Sequence, residues 1–407
     1  MTNDNWKMKI LSVTTLFPSR AHPVHAVFVH NRLKHVAALL KDRGEVRVIA
    51  PIPYFPWERF IPKYADRQQI PRCDQMGELA VIYPRYFSIP ALLKPLDGFF
   101  VLLAVWWAAR KLRREFDFDL IDAHLAFPDG FAGVFLAWLW KKPLAITLRG
   151  HDVNVLPRYP VRKQQIQFAL RHADRVIGVA DALRRGAIAL GADPRKAVTI
   201  SNGVDLEQFF PVPRAEARQR LGLPTARRIV LSVGRIVENK GYHLIVEALH
   251  LLQKSGQELP YLMIVGGAAD EALYPAKLRA TIAQLGMEQD VLLTGPQANE
   301  TLRDWYSAAD VYCLASATEG WPNVLLEALA CGTPVVATNT WGTPEIICSA
   351  EYGLLVERSA ESLAEGLRTA LAKQWDSQAM LAYASTHTWH RVAANVIENF
   401  EIALRQE

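Results

Sequence analysis

The stretch EGWPNVLLEALACGTPVVA, residues 319–337, sets two glutamates, Glu319 and Glu327, on either side of a Pro-Asn pair. Pro322 suits the first position of a helix, where its missing N–H costs nothing and its fixed φ fits. The helix then runs through Asn323 and Val324 to Leu329 and stops near Gly332 and Pro334. Glu327 falls one turn beyond Asn323 on the same face, and Glu319 sits in the loop just before. Both carboxylates therefore converge on a helix N-terminus, whose unsatisfied N–H groups favour an anion. Upstream, SVGRIVENKGYHLIVEAL places two cations, Arg235 and Lys240, in the loop after a strand. In the first half, His124 closes a predicted strand in DAHLAFPDG, and TLRGHDVN offers Arg149, His151, Asp152 and Asn154. The segment FPSRAHPVHAVFVHNR carries His22, His25 and His30, but they straddle a proline-containing loop and a predicted helix, so no metal site is expected. Asp117 and Asp119 mimic an Asp-x-Asp metal signature, yet they stand just before a strand, where acidic residues commonly make turns.

These side chains need a scaffold that brings loops together. Short β-branched runs at 9–15, 45–51, 79–85, 119–124, 144–150, 174–180 and 197–203 read as strands, with amphipathic stretches between most of them. The second half repeats the scheme at 228–235, 261–267, 291–295, 310–316, 334–339 and 353–357. Such alternation predicts parallel sheets covered by helices on both faces. Two series, joined near NGVDLEQFFPVPRAEA, imply an α/β chain of two Rossmann-like, doubly wound domains facing a central cleft. Ligands then lie outside the carboxyl ends of the strands. The expected boundaries are 1–203, 204–387 and a terminal helix over 388–407 that crosses back to the first domain. One stretch resists this scheme: GFFVLLAVWWAARKLRR (98–114) is apolar and aromatic, then basic. It reads either as a buried helix or as an interfacial helix on an anionic bilayer.

At 407 residues, half hydrophobic and about a fifth charged, the chain has the composition of a multidomain globular protein. Four scattered cysteines, with no Cys-x-x-Cys, point to reduced thiols of a cytosolic protein and to no zinc site. The opening MTNDNWKMKILSV has no long apolar segment, so neither a leader nor a membrane span is expected. The net charge of +5 hides an asymmetry: residues 1–200 carry 30 Lys and Arg against 17 Asp and Glu, whereas 201–407 carry 16 against 24. By charge alone, the basic half suits phospholipid headgroups, a phosphorylated acceptor or nucleic acid.

Together, SVGRIVENKGYHLIVEAL, SATEGWPNVLLEALACGTPVVAT and ISNGVDLEQFFP resemble the retaining GT-B glycosyltransferases of glycosyltransferase family 4. The wording of 319–337 looks most like members that build bacterial surface polysaccharides. The resemblance implies transfer of a sugar from a nucleotide-sugar donor to a lipid-linked or growing surface glycan, with retention at the anomeric carbon and without metal. It implies no cofactor beyond the nucleotide sugar as co-substrate. It implies no nucleic-acid partner, a cytoplasmic location, and peripheral attachment of the basic domain to the inner face of the plasma membrane. In that frame Arg235 and Lys240 stabilise the departing diphosphate, and backbone at Asn323 and Val324 adds donors. Carboxylates beside a diphosphate would be repelled unless they bind hydroxyls, so Glu327 is assigned the ribose and Glu319 the transferred sugar. Gly295 and Pro296, after a strand end, seat the base. His124, His25 and Ala26 are the acceptor contacts.

The sequence departs from the family pattern in three places. Arg149 stands where Thr-x-His-Gly-x-Asp would put a histidine, and His151 follows two residues later, so both are candidate catalytic groups. Asp152 and Asn154 are expected to anchor that loop. Ala26 and Trp341 each stand where the family has glycine, the latter ahead of Gly342, Thr343 and Glu345. Among rival classes, a dinucleotide oxidoreductase would need Gly-x-Gly-x-x-Gly between a strand and a helix, and no strand carries it. A phosphorylase or epimerase would lack this arrangement of Arg235, Lys240 and the glutamate pair. The alternatives kept are a catalytically degenerate scaffold and a transferase acting on a small soluble acceptor.

Overall fold

A computed structural model describes residues 7–267 and 273–405; part of the segment read for a leader, residues 1–6, lies outside these. The chain divides into two compact units, Met1–Asn202 with Trp389–Glu407, and Gly203–Thr388.

The first unit contains strands β1 (Met8–Val13), β2 (Gly44–Ile49), β3 (Ile52–Tyr54), β4 (Cys73–Met76), β5 (Leu79–Ile82), β6 (Arg85–Phe87), β7 (Leu120–His124), β8 (Leu144–Leu148), β9 (Arg175–Gly178) and β10 (Ala197–Thr199). Eight of them form a sheet in the order β10-β9-β8-β7-β1-β2-β5-β4, parallel except for β4 against β5. Every residue of β7 and β8 is buried, as befits strands covered on both faces. The chain winds outward from β1 through β2 to β5, then returns to β7 on the other side of β1. The order thus reverses between β1 and β7, the position at whose carboxyl ends open sheets of this kind take their ligands. Helix Trp389–Leu404 packs on helix Val27–Leu40, burying Val392, Val396 and Phe400 with Val29, Leu33 and Val36.

The second unit contains β11 (Ile229–Val233), β12 (Tyr261–Val265), β13 (Val291–Gly295), β14 (Val311–Leu314), β15 (Val335–Thr338) and β16 (Gly353–Val356), all parallel, in the order β13-β12-β11-β14-β15-β16. Its reversal falls between β11 and β14.

Three elements differ from, or add to, what the sequence leads one to expect. The run 79–85 is not one strand: it breaks before Pro84, and Arg85–Phe87 pairs instead with Ile52–Tyr54 in a separate two-stranded sheet. Edge strand β4 carries no β-branched signal and exists through its antiparallel pairing with β5. The 98–114 stretch forms helix Asp97–Leu112, which is not buried all round; only Gly98, Val101, Val105, Ala109 and Leu112 face inward.

Candidate active site

In the second unit, the loops after β11 and β14 meet at the reversal. Gly266, just after β12, has φ +152°, and a Cβ there would lie 1.9 Å from the Gly234 carbonyl oxygen, so only glycine lets the chain approach so closely where the two strands end. The Gly295 carbonyl accepts from Gly266 N at 3.0 Å, and Pro296 lies against Gly267, which puts both proposed base-binding residues at this floor. Beyond β11 the chain turns through Glu238–Lys240 into Gly241, whose φ of +66° and close approach to the Ala315 carbonyl again exclude a side chain. Asn239 completes the clasp: its Nδ2 donates to Thr318 O at 3.1 Å, and its carbonyl accepts from Ala317 N at 2.8 Å. The two loops are thereby locked together, and Lys240 Nζ meets Glu319 Oε1 at 2.5 Å. Arg235 lies on the same loop with its side chain exposed.

Helix Asn323–Ala330 starts one residue later than expected, because Pro322 keeps a non-helical ψ of 90° as its cap. Asn323 and Val324 occupy its first two positions, half-buried. One turn on, Glu327 accepts from the Tyr306 hydroxyl at 2.7 Å through Oε2. Burial pushes the Glu327 carboxyl up to about 7, against the lowering effect of that hydrogen bond. Burial also raises the phenols of Tyr306 and Tyr312 well above their ordinary value, so they stay neutral donors. Tyr312 donates to Val233 O at 3.2 Å, tying this layer to the end of β11. Trp341 adopts φ +44°, the left-handed conformation that glycine would take without strain, and remains 38% exposed.

In the first unit a second polar cluster fills the β1/β7 reversal. His124 has no exposed surface. Its Nε2 lies 2.9 Å from Asp122 Oδ2 and 3.1 Å from Ser12 Oγ, while Arg149 Nη2 donates to its Nδ1 at 2.7 Å. A ring that accepts at Nδ1 is neutral and carries its proton on Nε2; burial accordingly lowers its pKa to about 4. His124, expected to face the cleft as an acceptor contact, has both ring nitrogens engaged within this cluster. Arg149 is held from its other side by Asn202 Oδ1 at 2.9 Å, with its guanidinium 5.4 Å from the Phe28 ring centroid. Asp152 anchors the loop by accepting from Arg149 N and Gly150 N at Oδ1 and from Ala126 N at Oδ2. His151 opens the short helix His151–Asn154 with an exposed side chain; Arg149 is the one that joins the cluster. His25 is exposed in the turn before helix Val27–Leu40, and Ala26 caps that helix in a left-handed conformation, φ 50°. Arg32, one turn into the helix, is fully buried, and its three guanidinium nitrogens have no hydrogen-bond partner among the described residues. Burial lowers its pKa to about 10, and the Asp122 charge works against that.

Sequence reasoning missed Ser12, Arg32, Asp122, Asn202 and Tyr306. Asp122 was within reach, since two residues before His124 on a strand means the same face; the others carry no local signal. Asp117 pairs with Arg113 at 3.0 Å and Asp119 accepts from Lys9 N at 2.8 Å, so both have structural partners. Among the described residues no group of three or more His, Cys, Asp and Glu has the geometry to hold a metal ion.

Residues 213–388 match the family of glycosyl transferases group 1, and residues 29–208 match Glycosyltransferase Family 4. The chain is 31% identical over 365 residues, 88% of each chain, to TuaC of Bacillus subtilis (strain 168), a glycosyltransferase named for teichuronic acid biosynthesis. It is 34% identical over 307 residues, 71% of this chain and 72% of the other, to a D-inositol 3-phosphate glycosyltransferase of Thermobispora bispora. Among solved structures it resembles sucrose-phosphate synthase from Thermosynechococcus elongatus, with a TM-score of 0.79 and 20% identity over 98% of this chain and 100% of that one. It also resembles Anabaena HepE in complex with UDP and glucose, with a TM-score of 0.70 and 22% identity over 97% and 99%. Two doubly wound units with polar clusters at their strand reversals and these family matches lead to one assignment: the chain belongs to the GT-B glycosyltransferases of family 4.

Proposed function

We infer that this glycosyltransferase moves a sugar from a nucleotide-sugar donor bound on the second unit to a glycan or lipid-linked acceptor, with retention of anomeric configuration and without metal. The observation that carries the reading is the Lys240–Glu319 pair, 2.5 Å apart and clasped by Asn239 at the carboxyl ends of β11 and β14. There Lys240 and Arg235 face a diphosphate whose charge grows as the glycosidic bond breaks, which is where fixed cations contribute most. Glu319, neutralised by Lys240, takes the hydroxyls of the transferred sugar. Glu327, one oxygen held by Tyr306, offers the other to the ribose hydroxyls. The base lies along Gly295 and Pro296, and backbone at Asn323 and Val324 meets the phosphates.

On the first unit Arg149 is the fixed cation of the acceptor-binding cluster, and neutral His124, backed by Asp122, sets its orientation. The step is an oxocarbenium-like displacement: the bond from anomeric carbon to phosphate oxygen breaks as the acceptor oxygen bonds to that carbon on the same face. The acceptor proton passes to the departing diphosphate, so no hydrolase-type carboxylate pair is required. TuaC, named for teichuronic acid biosynthesis, supports a surface polysaccharide as the product class. Donor hydrolysis, with water as acceptor, followed by proton NMR with and without chelator tests this. The first-formed sugar is expected to keep the donor's anomeric configuration at an unchanged rate in chelator. An inverted first product, or a rate abolished by chelator, overturns the mechanism.

A further inference from the structure

We propose that helix Asp97–Leu112 and the loops leading to it form a docking surface for an anionic phospholipid bilayer. Within the helix, positions 99, 103, 107 and 110 recur at steps of three and four and so share one face, with Leu96 just before the helix and Arg114 just after it. On a solvated helix that face would be polar. Here it presents Leu96, Phe99, Leu103 and Trp107, all exposed, with Trp107 at 64%, and the face then ends in Arg110 and Arg114. An exposed apolar face that carries a tryptophan and is flanked by cations is the make-up of a helix lying in the interface plane, its apolar side chains in the acyl boundary and its cations among the lipid phosphates.

The fold extends the patch. Strands β3 and β6 pair in parallel, and Ser88 N donates to Tyr54 O at 2.9 Å, so the segments that follow them leave from the same end. One of these segments leads to the helix and exposes Leu92 and Leu93; the other exposes Trp57 and, at 70%, Phe60. The second unit shows only Phe210, Leu251, Leu273, Trp341 and Leu355 as large exposed apolar side chains among the described residues. Apolar exposure is therefore concentrated on the unit that also carries the positive charge excess.

Charge selects a bilayer over a second copy of the chain. Arg110, Lys111 and Arg114 make no ion pair among the described residues, and a face without a carboxylate offers them none in a contact with itself, whereas anionic headgroups neutralise them. No helix among the described residues is long and apolar enough to cross a membrane, so the surface lies on the bilayer rather than in it. This inference stands on exposure and charge and does not need the donor reading.

The test is co-sedimentation with vesicles of phosphatidylcholine alone and of equal parts phosphatidylcholine and phosphatidylglycerol, alongside donor calorimetry. The protein is expected to sediment with the anionic vesicles only, less so at high salt. Leu103→Ser with Trp107→Ser should lower that partitioning about tenfold or more, and so should Arg110→Glu with Arg114→Glu, with donor affinity unchanged in both. Absence of sedimentation, or sedimentation indifferent to both variants, overturns the proposal. So does a dimer in sedimentation velocity that the Leu103/Trp107 variant dissolves, because a second copy would then cover the face.

Discussion

Glu327 gives the most quantitative prediction. Its carboxyl titrates at about 7 in the ligand-free fold, because burial outweighs the hydrogen bond from Tyr306. A ribose diol donates its hydroxyls, so the donor binds the ionised form. About nine-tenths of the protein is ionised at pH 8 and about a tenth at pH 6, so donor affinity should fall about tenfold between them, about 1.4 kcal/mol. Glu327→Gln should bind weakly at pH 8 but without this slope, and the two proteins should converge toward pH 5. The same shift predicts stability. The folded pKa lies above the ordinary 4.5, so the ligand-free fold holds the proton more tightly than the unfolded chain. Its contribution is complete below pH 4.5 and is lost as pH rises through about 7, by at most about 3 kcal/mol. Glu327→Gln should remove that decline. The assay is calorimetric titration with a nucleotide sugar, whose phosphates do not titrate in this window, together with urea unfolding from pH 5 to 8. A wild-type affinity as flat with pH as that of Glu327→Gln would refute the assignment of Glu327 to the ribose.

Lys240→Ala should lower kcat about 10²- to 10³-fold, as expected for a lost cation at a developing charge, while circular dichroism stays native; near-normal turnover contradicts the clamp. His124→Ala and Arg149→Ala should each reduce turnover, and the double variant should be no worse than Arg149→Ala alone, because His124 acts through Arg149; additive losses would give His124 an independent role. Ala26 and Trp341 hold left-handed backbone at a cost of about 1–2 kcal/mol each, so Ala26→Gly and Trp341→Gly should leave urea stability unchanged or raise it by up to about 1 kcal/mol. A loss above about 1 kcal/mol would show that the side chains, rather than the backbone, set the cost there.

The strand-helix alternation was readable because parallel strands buried on both faces are near-continuous apolar runs, as in LAITL of β8. The Lys240–Glu319 meeting was readable only as motif residues. What joins them is the Asn239 clasp, between residues 79 apart, and the close approach of Gly241 to Ala315, contacts that no local pattern announces. His124 shows the opposite failure. Its place at a strand end was legible, as was Asp122 beside it on β7, but the burial of the ring depends on Ser12 of β1 and Arg149 of the loop after β8, which come from distant parts of the chain. The helix after Asp97 misleads by composition, because apolar content alone does not distinguish a buried face from an exposed one. Ala26 and Trp341, where the family resemblance leads one to expect glycine, both hold a left-handed backbone, which their own residue types do not announce.

The most direct test of the central claim is calorimetric binding of UDP-, GDP- and ADP-sugars to the protein without added metal, repeated with Arg235→Ala and Lys240→Ala. The account predicts selective binding of one nucleotide class by the wild type and its loss or marked weakening in both variants. Failure of the folded protein to bind any of them, or equal binding by wild type and variants, would contradict it.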